Sequence, residues 1–280
     1  MKTKVITLFV VAFLLSACGA VGTSTETAIP TSGAATSEPT HAVVGPEPGA
    51  TWQLQYAGDL PETGGEAYEI AQTWDVDGAD TSAEWVADAN SAGIYTICYF
   101  NAGGWEDWRA DAGDFPEALI GNPLDGWEGE NWLDIRQVDQ LLLIMEARMD
   151  ECAAKGFDAV DPDNLDGYAN DPGFPLTQAD SVAYLQALAQ AAHERGLAIG
   201  LKNALATIPE LVDTVDFAVN EECVAYQECD SYQPFLDAGK AVLHVEYDVT
   251  LEEMCAQTPD GFSSLLTDLD LSESGQRCEQ

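Results

Sequence analysis

Lys155-Gly156-Phe157-Asp158-Ala159-Val160-Asp161-Pro162-Asp163-Asn164 decides the fold. A glycine closes a stretch of helical spacing, a short apolar run follows, and the run ends abruptly in acid. Glycine suits the left-handed residue just past a helix end, and a nearly all-apolar strand suits a sheet covered on both faces. The phrase recurs along the chain. Gly93 leads through Ile94–Phe100 to Asn101, Gly196 through Leu197–Leu201 to Lys202 and Asn203, and Gly239 through Ala241–Val245 to Glu246 and Tyr247. Asp216–Glu221 is a further strand of this kind. Trp52–Ala57, Tyr68–Trp74 and Phe262–Leu271 bring the candidates to eight.

The segments between them have helical spacing. Ile135, Val138, Leu141, Leu142, Met145 and Met149 recur at intervals of three and four, which makes one core-facing stripe and assigns the methionines to packing. Leu176–Arg195 behaves alike, with Thr177 as its N-cap. Strands alternating with helices over residues 51–280 predict an α/β fold, a single-domain (β/α)8 TIM-type barrel. An open doubly wound sheet is the competing arrangement, weakened because the chain has no GxGxxG, P-loop or GxSxG. No cofactor is expected.

The ends of the chain give an address. Lys2 and Lys4 precede an apolar stretch, Val5–Leu15, too short to span a bilayer, and Leu15-Ser16-Ala17-Cys18 follows. Residues 1–17 read as a lipoprotein signal peptide because L-S-A-C resembles the bacterial lipobox. Cys18 would be diacylated, and two acyl chains suffice for stable membrane anchoring. Residues 18–50, poor in large apolar side chains, read as a flexible Ser/Thr/Pro-rich linker. The expected location is the cell envelope or exterior, tethered by lipid after export.

The formal charge of −39 repels nucleic acid and anionic lipid and attracts cations. A cationic polymer such as a glycan with free amines fits; so does a merely soluble secreted surface. Beyond Cys18, the six cysteines Cys98, Cys152, Cys223, Cys229, Cys255 and Cys278 suggest disulfides in an exported chain. Cys223 with Cys229 is expected to pin one loop and Cys255 with Cys278 the C-terminal tail, while Cys98 reads as a buried strand residue left free. No metal site is expected: there is no CxxC, and His41, His193 and His244 are scattered. The acid-rich runs at 75–80 and 161–167 both break the EF-hand pattern.

Two strands deliver carboxylates as they leave the core: Asp163 after Phe157–Pro162, and Glu221 after Phe217–Asn220. In a parallel barrel such exits converge on one pocket, and a pair of convergent carboxylates is the minimum equipment for glycoside cleavage. The ordinary alternative for Glu221 is a salt-bridged strand-end acid. Asp75 or Asp77, Tyr99, Lys202 and Tyr247 leave other strands and are candidates for sugar hydroxyls or an amine. The insertion from Gly104 to Asp134 carries Trp105, Trp108, Trp127 and Trp132 among Glu106, Arg109, Glu130 and Asp134. Tryptophans stack on sugars or build a loop's own miniature core; Trp105 is taken as a substrate contact.

Several stretches are unusual enough to carry a family resemblance. These are W-Q-L-Q-Y (52–56), W-D-V-D-G-A-D-T-S (74–82), I-C-Y-F-N-A-G-G-W-E-D-W-R-A-D (97–111), G-W-E-G-E-N-W-L-D-I-R (126–136), D-P-D-N-L-D-G-Y (161–168), G-L-K-N (200–203) and V-N-E-E-C (219–223). In this order they resemble glycoside hydrolase family 114, the endo-α-1,4-polygalactosaminidase family. The resemblance implies a TIM-like barrel, an Asp/Glu catalytic pair at Asp163 and Glu221, and an α-1,4-linked galactosamine-containing polysaccharide as substrate; of the pair, Asp163 is assigned as nucleophile or base and Glu221 as proton donor. Asn164, Asn203 and Glu222 flank the matched positions and join the substrate-binding candidates. Asp161 and Glu222 depart from the common E-P-D-N spelling and from a common Gln. Two competing functions are a non-catalytic carbohydrate-binding surface lipoprotein on the same scaffold and a metal-dependent hydrolase using Asp161–Asp166.

Overall fold

A computed structural model describes residues 43–65, 70–272 and 274–278. The signal peptide, Cys18, and most of the linker lie outside the described residues. Val43–Ala50, assigned to the linker, already lies against the folded unit: the Tyr95 hydroxyl donates to the Val44 carbonyl at 2.7 Å, and Pro46 and Ala50 are buried.

In chain order the elements are β1 (Trp52–Gln55), β2 (Thr73–Asp77), α1 (Ala83–Ser91), β3 (Tyr95–Asn101), the short strands β4 (Gly104–Glu106), β5 (Ile120–Pro123) and β6 (Glu130–Leu133), α2 (Val138–Lys155), β7 (Ala159–Asp163), α3 (Gln178–Glu194), β8 (Ala198–Lys202), α4 (Ile208–Leu211), β9 (Phe217–Glu221), α5 (Cys223–Tyr226), α6 (Gln233–Asp237), β10 (Val242–Glu246), α7 (Leu251–Gln257), β11 (Ser263–Leu266) and β12 (Gln276–Arg277). The main sheet runs β1-β2-β3-β7-β8-β9-β10-β11-β12, and its first eight strands are parallel. It curls so that β1 and β11 lie side by side. The antiparallel β12 closes the seam, where the Arg277 guanidinium donates to the Trp52 carbonyl at 2.9 and 2.7 Å. The result is the expected TIM-type barrel.

Strand side chains alternate between two cores. Trp52, Leu54, Ile97, Ala159, Ala198, Phe217, Val219, Leu243, Val245 and Leu265 fill the interior. Trp74, Val76, Cys98, Phe100 and Val160 face outward, onto Leu141, Met145 and Met149 of α2 and Leu185 and Leu188 of α3. The interior has no spare room at Gly200, where a Cβ would come within 2.7 Å of the Phe217 ring. Gly93, Gly156, Gly196 and Gly239 all have positive φ, as the turns into β3, β7, β8 and β10 require. Thr177 caps α3 in a reciprocal box with Asp180.

Two expectations, the place of β2 and the state of Cys98, are corrected, and the insertion gains a defined architecture. β2 is Thr73–Asp77, later than Tyr68–Trp74, and part of that earlier range lies outside the described residues. The insertion is a three-stranded antiparallel sheet in the order β4-β6-β5. Cys98 is not free: it pairs with Cys152, beside Cys223–Cys229 and Cys255–Cys278. Its place on β3 turns it outward to α2, where Cys152 waits one turn from Met149.

Candidate active site

At the C-terminal ends of the parallel strands lies a cleft of about 330 Å³, lined among others by Tyr99, Asp163, Lys202, Glu221, Trp108 and Glu130. In parallel barrels this is the face where sites are built. Asp163 ends β7, Lys202 ends β8 and Glu221 ends β9. Each is followed by a residue with left-handed backbone: Asn164 at φ 62°, Asn203 at φ 49° and Glu222 at φ 64°. Asn tolerates that region better than Glu. All three sharp exits turn the chain off the barrel just where a functional side chain must be held, the kind of place where such conformations concentrate. Gly103 permits the tightest approach, since a Cβ there would sit 1.8 Å from the Asn164 carbonyl oxygen.

Hydrogen bonds fix both acids. Asp163 Oδ2 accepts from the Tyr99 hydroxyl at 3.0 Å, and its Oδ1 accepts from the Asn164 backbone N–H at 2.7 Å. Glu221 Oε1 accepts from the Tyr247 hydroxyl at 2.5 Å, and Oε2 accepts from the Asn203 side-chain amide at 2.9 Å. Asn203 also takes the Glu221 backbone N–H on its Oδ1 at 2.9 Å. The Lys202 ammonium stands 3.3 Å from Asp163 Oδ2 and 3.8 Å from Glu221 Oε2. Those two oxygens are therefore within roughly 7 Å of each other, a ceiling that covers the retaining spacing and only the bottom of the inverting range.

Lys202 is 2 % exposed and lies 4.9 Å from the centroids of both the Tyr56 and Tyr99 rings, which stack on each other at 3.8 Å. Burial works against its charge, but Asp163, Glu221, Asp161 and Asp75 outweigh it and hold the ammonium above the ordinary lysine range. Beneath the cleft, Asp161 accepts from the Tyr56 hydroxyl at 3.1 Å. Burial lifts its proton affinity, with Lys202 opposing and Asp163 adding to the rise. Asp75 is fully buried beside Asp161 and Tyr56; burial and then the Asp161 charge push its carboxyl well above the usual range, with Lys202 opposing.

The other candidates divide. Tyr99, Lys202 and Asn164 line the cleft with the two acids. Asn203 and Tyr247 reach it through Glu221. Asp77 lines the cleft too, but both its oxygens are occupied: Arg109 binds them at 3.0 and 2.6 Å, and the Ala79 and Asp80 N–H groups bind Oδ1 at 2.9 Å each. Its work is to hold Arg109. Asp75 does not reach the cleft, because it sits one layer down in the closed interior. Trp105 is not on the wall either; its indole N–H donates to the Ala112 carbonyl at 3.0 Å and its ring packs on the outer core. Trp108 and Trp127, 55 % and 48 % exposed, take the wall position instead. Glu222 is turned away by its left-handed backbone and does not line the cleft.

Tyr56 and Glu130 were missed as site residues. Tyr56 follows β1 by one residue, so the period-2 rule applied to Trp52 and Leu54 places it inside. Glu130 carries no comparable signal, since its place depends on how the insertion folds back. One cluster of metal-ligand type, Cys223, Cys229 and His244, has its two sulfurs joined to each other, which removes the thiolates a metal would need.

Comparison with known proteins identifies the family and the fold. The profile of glycoside-hydrolase family GH114 matches residues 32–280. Among solved structures, Aspergillus fumigatus Ega3 in complex with galactosamine is 38% identical, with a TM-score of 0.79 over 85% of this chain and 99% of that one. The glycoside hydrolase domain of PelA from Pseudomonas aeruginosa, 15% identical, has a TM-score of 0.61 over 81% of this chain and 98% of that one and shares the fold. No curated protein matches.

Proposed function

The chain belongs to glycoside-hydrolase family GH114, and from that premise we propose that it is an endo-acting hydrolase of an α-1,4-linked, galactosamine-containing polysaccharide. The observation that carries the reading is the pair of strand-end carboxylates, Asp163 and Glu221, facing one cleft with the Lys202 ammonium between them. Ega3, the relative with bound galactosamine, supports the amino-sugar class.

Glycoside cleavage needs one carboxyl group protonated and one ionised. Asp163, the nearer of the two to the Lys202 ammonium, at 3.3 against 3.8 Å, takes the ionised role. Glu221 gives its proton to the glycosidic oxygen as the bond to the anomeric carbon breaks. Asp163 meets the developing positive charge at that carbon, by direct attack or by drawing a proton from water. Tyr99, Tyr247 and Asn203 keep the two carboxyls from rotating out of alignment, and such positioning supplies much of the rate. Lys202 offsets the repulsion between the acids without being consumed.

The purified protein should release new reducing ends from partly de-N-acetylated α-1,4-galactosamine polymer, with a rapid fall in chain length. Polymer left at full length by protein that still binds it would favour the carbohydrate-binding reading instead. The disulfides suit an oxidising compartment. Lipid anchoring through Cys18 is part of the proposal, and Cys18→Ser should abolish fatty-acid labelling in a bacterial host.

A further inference from the structure

The insertion puts an acidic pair where a sheet would ordinarily avoid one. In the antiparallel register of β4 and β6, Glu106 lies directly opposite Glu130. Like charges so placed destabilise a sheet, and both residues line the catalytic cleft. The nearest cation is shared with a third acid. Arg109 is committed to both oxygens of Asp77 and, at 2.9 Å, to Glu106 Oε1. Glu106 is 3 % exposed and its Oε2 has no hydrogen-bond partner among the described residues. Glu130, half-buried, accepts one bond, from the Asn101 side-chain amide to Oε2 at 2.9 Å. Burial and the charges of Glu106 and Asp163 push Glu130 up to about 7, against the pull of Arg109 and Asn101. Trp108 adjoins this pair: a Cβ on Gly129, the residue before Glu130, would come within 2.9 Å of its ring. That ring is more than half exposed on the cleft wall.

An apolar platform beside an under-compensated acid is the equipment for a sugar ring that carries a cation. We propose that Glu130, backed by Glu106, is the residue that recognises the free amine of the polysaccharide: its carboxylate takes the protonated amine of a hexosamine unit lying against Trp108. The bound ammonium gives Glu130 an ion pair of its own, where Arg109 is already taken up by Asp77 and Glu106. An N-acetylated unit brings no charge to Glu130, so the site prefers de-N-acetylated chain. This assignment rests on the cleft being a polysaccharide site and deepens that reading by naming what discriminates the amine.

Calorimetric titration of the full chain with an α-1,4-galactosamine oligosaccharide and with its fully N-acetylated form reads the preference without needing turnover. The wild type should bind the amine form at least about tenfold more tightly, in line with a charge-assisted bond in a partly buried site. Glu130→Gln should bring the ratio of affinities close to one, and Glu130→Asp, which keeps the charge, should retain part of it. Glu130→Gln removes a like-charge contact, so its thermal midpoint should be no lower than wild type. An unchanged preference in Glu130→Gln overturns the assignment, as does equal loss of affinity for both oligosaccharides, or a wild type that binds neither. Preference that depends on Glu130 in a protein that cuts neither oligosaccharide would uphold the assignment and defeat only the proposed hydrolysis.

Discussion

Lys202→Met removes a cation that four carboxyl groups surround: Asp163 and Glu221 at 3.3 and 3.8 Å, with Asp161 and Asp75 beneath. At 2 % exposure no water replaces the lost charge. Taking one partner from a buried ionic cluster costs about 3–5 kcal/mol, or roughly 6–20 °C in thermal midpoint for a domain of this size. The cost depends on pH. Without the ammonium, the clustered carboxyls bind protons more tightly folded than unfolded, so the native state holds more protons and stability falls as pH rises. Below the ordinary carboxylate range the acids are neutral in both states and the variant should approach wild type. At neutral pH the full penalty should be present. Urea unfolding of both proteins at acidic and at neutral pH measures this directly. A deficit of the same size at both, or none at neutral pH, would refute the idea that Lys202 is held as the counter-ion of a buried acid cluster.

Asp161→Asn tests the lower layer. Its carboxyl, pushed up to about 7 by burial, costs the wild type stability progressively between the ordinary Asp value and pH 7, because the folded state keeps a proton that the unfolded state has released. The variant should flatten that part of the stability–pH curve, as followed by chemical denaturation at a series of pH values. Trp108→Ala and Trp127→Ala remove exposed rings from the cleft wall. Each should leave stability within about 0.5 kcal/mol of wild type and weaken polymer binding about tenfold, as read by calorimetry.

Much of the barrel could be read in advance because its strands are local in their signal. Glycines 93, 156, 196 and 239 mark helix ends whatever the rest of the chain does, and runs such as Leu197–Leu201 are too apolar to face water. The acids that end two of those runs, Asp163 and Glu221, therefore became visible as a convergent pair. The insertion was illegible for the opposite reason. Its strands are three or four residues long, with no clear alternation, and they exist because β4, β5 and β6 meet one another. Which tryptophan reached the cleft followed from that meeting: Trp105 folds onto the outer core while Trp108 stands on Gly129. Asp75 misled because a strand-borne acid looks the same whether it sits in the top layer or one layer below. Two residues along the same strand, one step of the pleat, separate buried Asp75 from Asp77 at the rim. Cys98 misled similarly; burial suggested an inert thiol, but the partner on α2 is 54 residues away in sequence.

The central claim is that Asp163 and Glu221 are the two acids that break the bond. Its most direct test is turnover of Asp163→Asn and Glu221→Gln on α-1,4-galactosamine polymer, alongside wild type, with thermal midpoint and polymer affinity measured on the same preparations. Each variant should bind polymer within a few-fold of wild type while losing about a thousandfold or more in kcat, the expected consequence of removing a group that acts in the transition state. Turnover surviving in either folded variant would contradict the assignment.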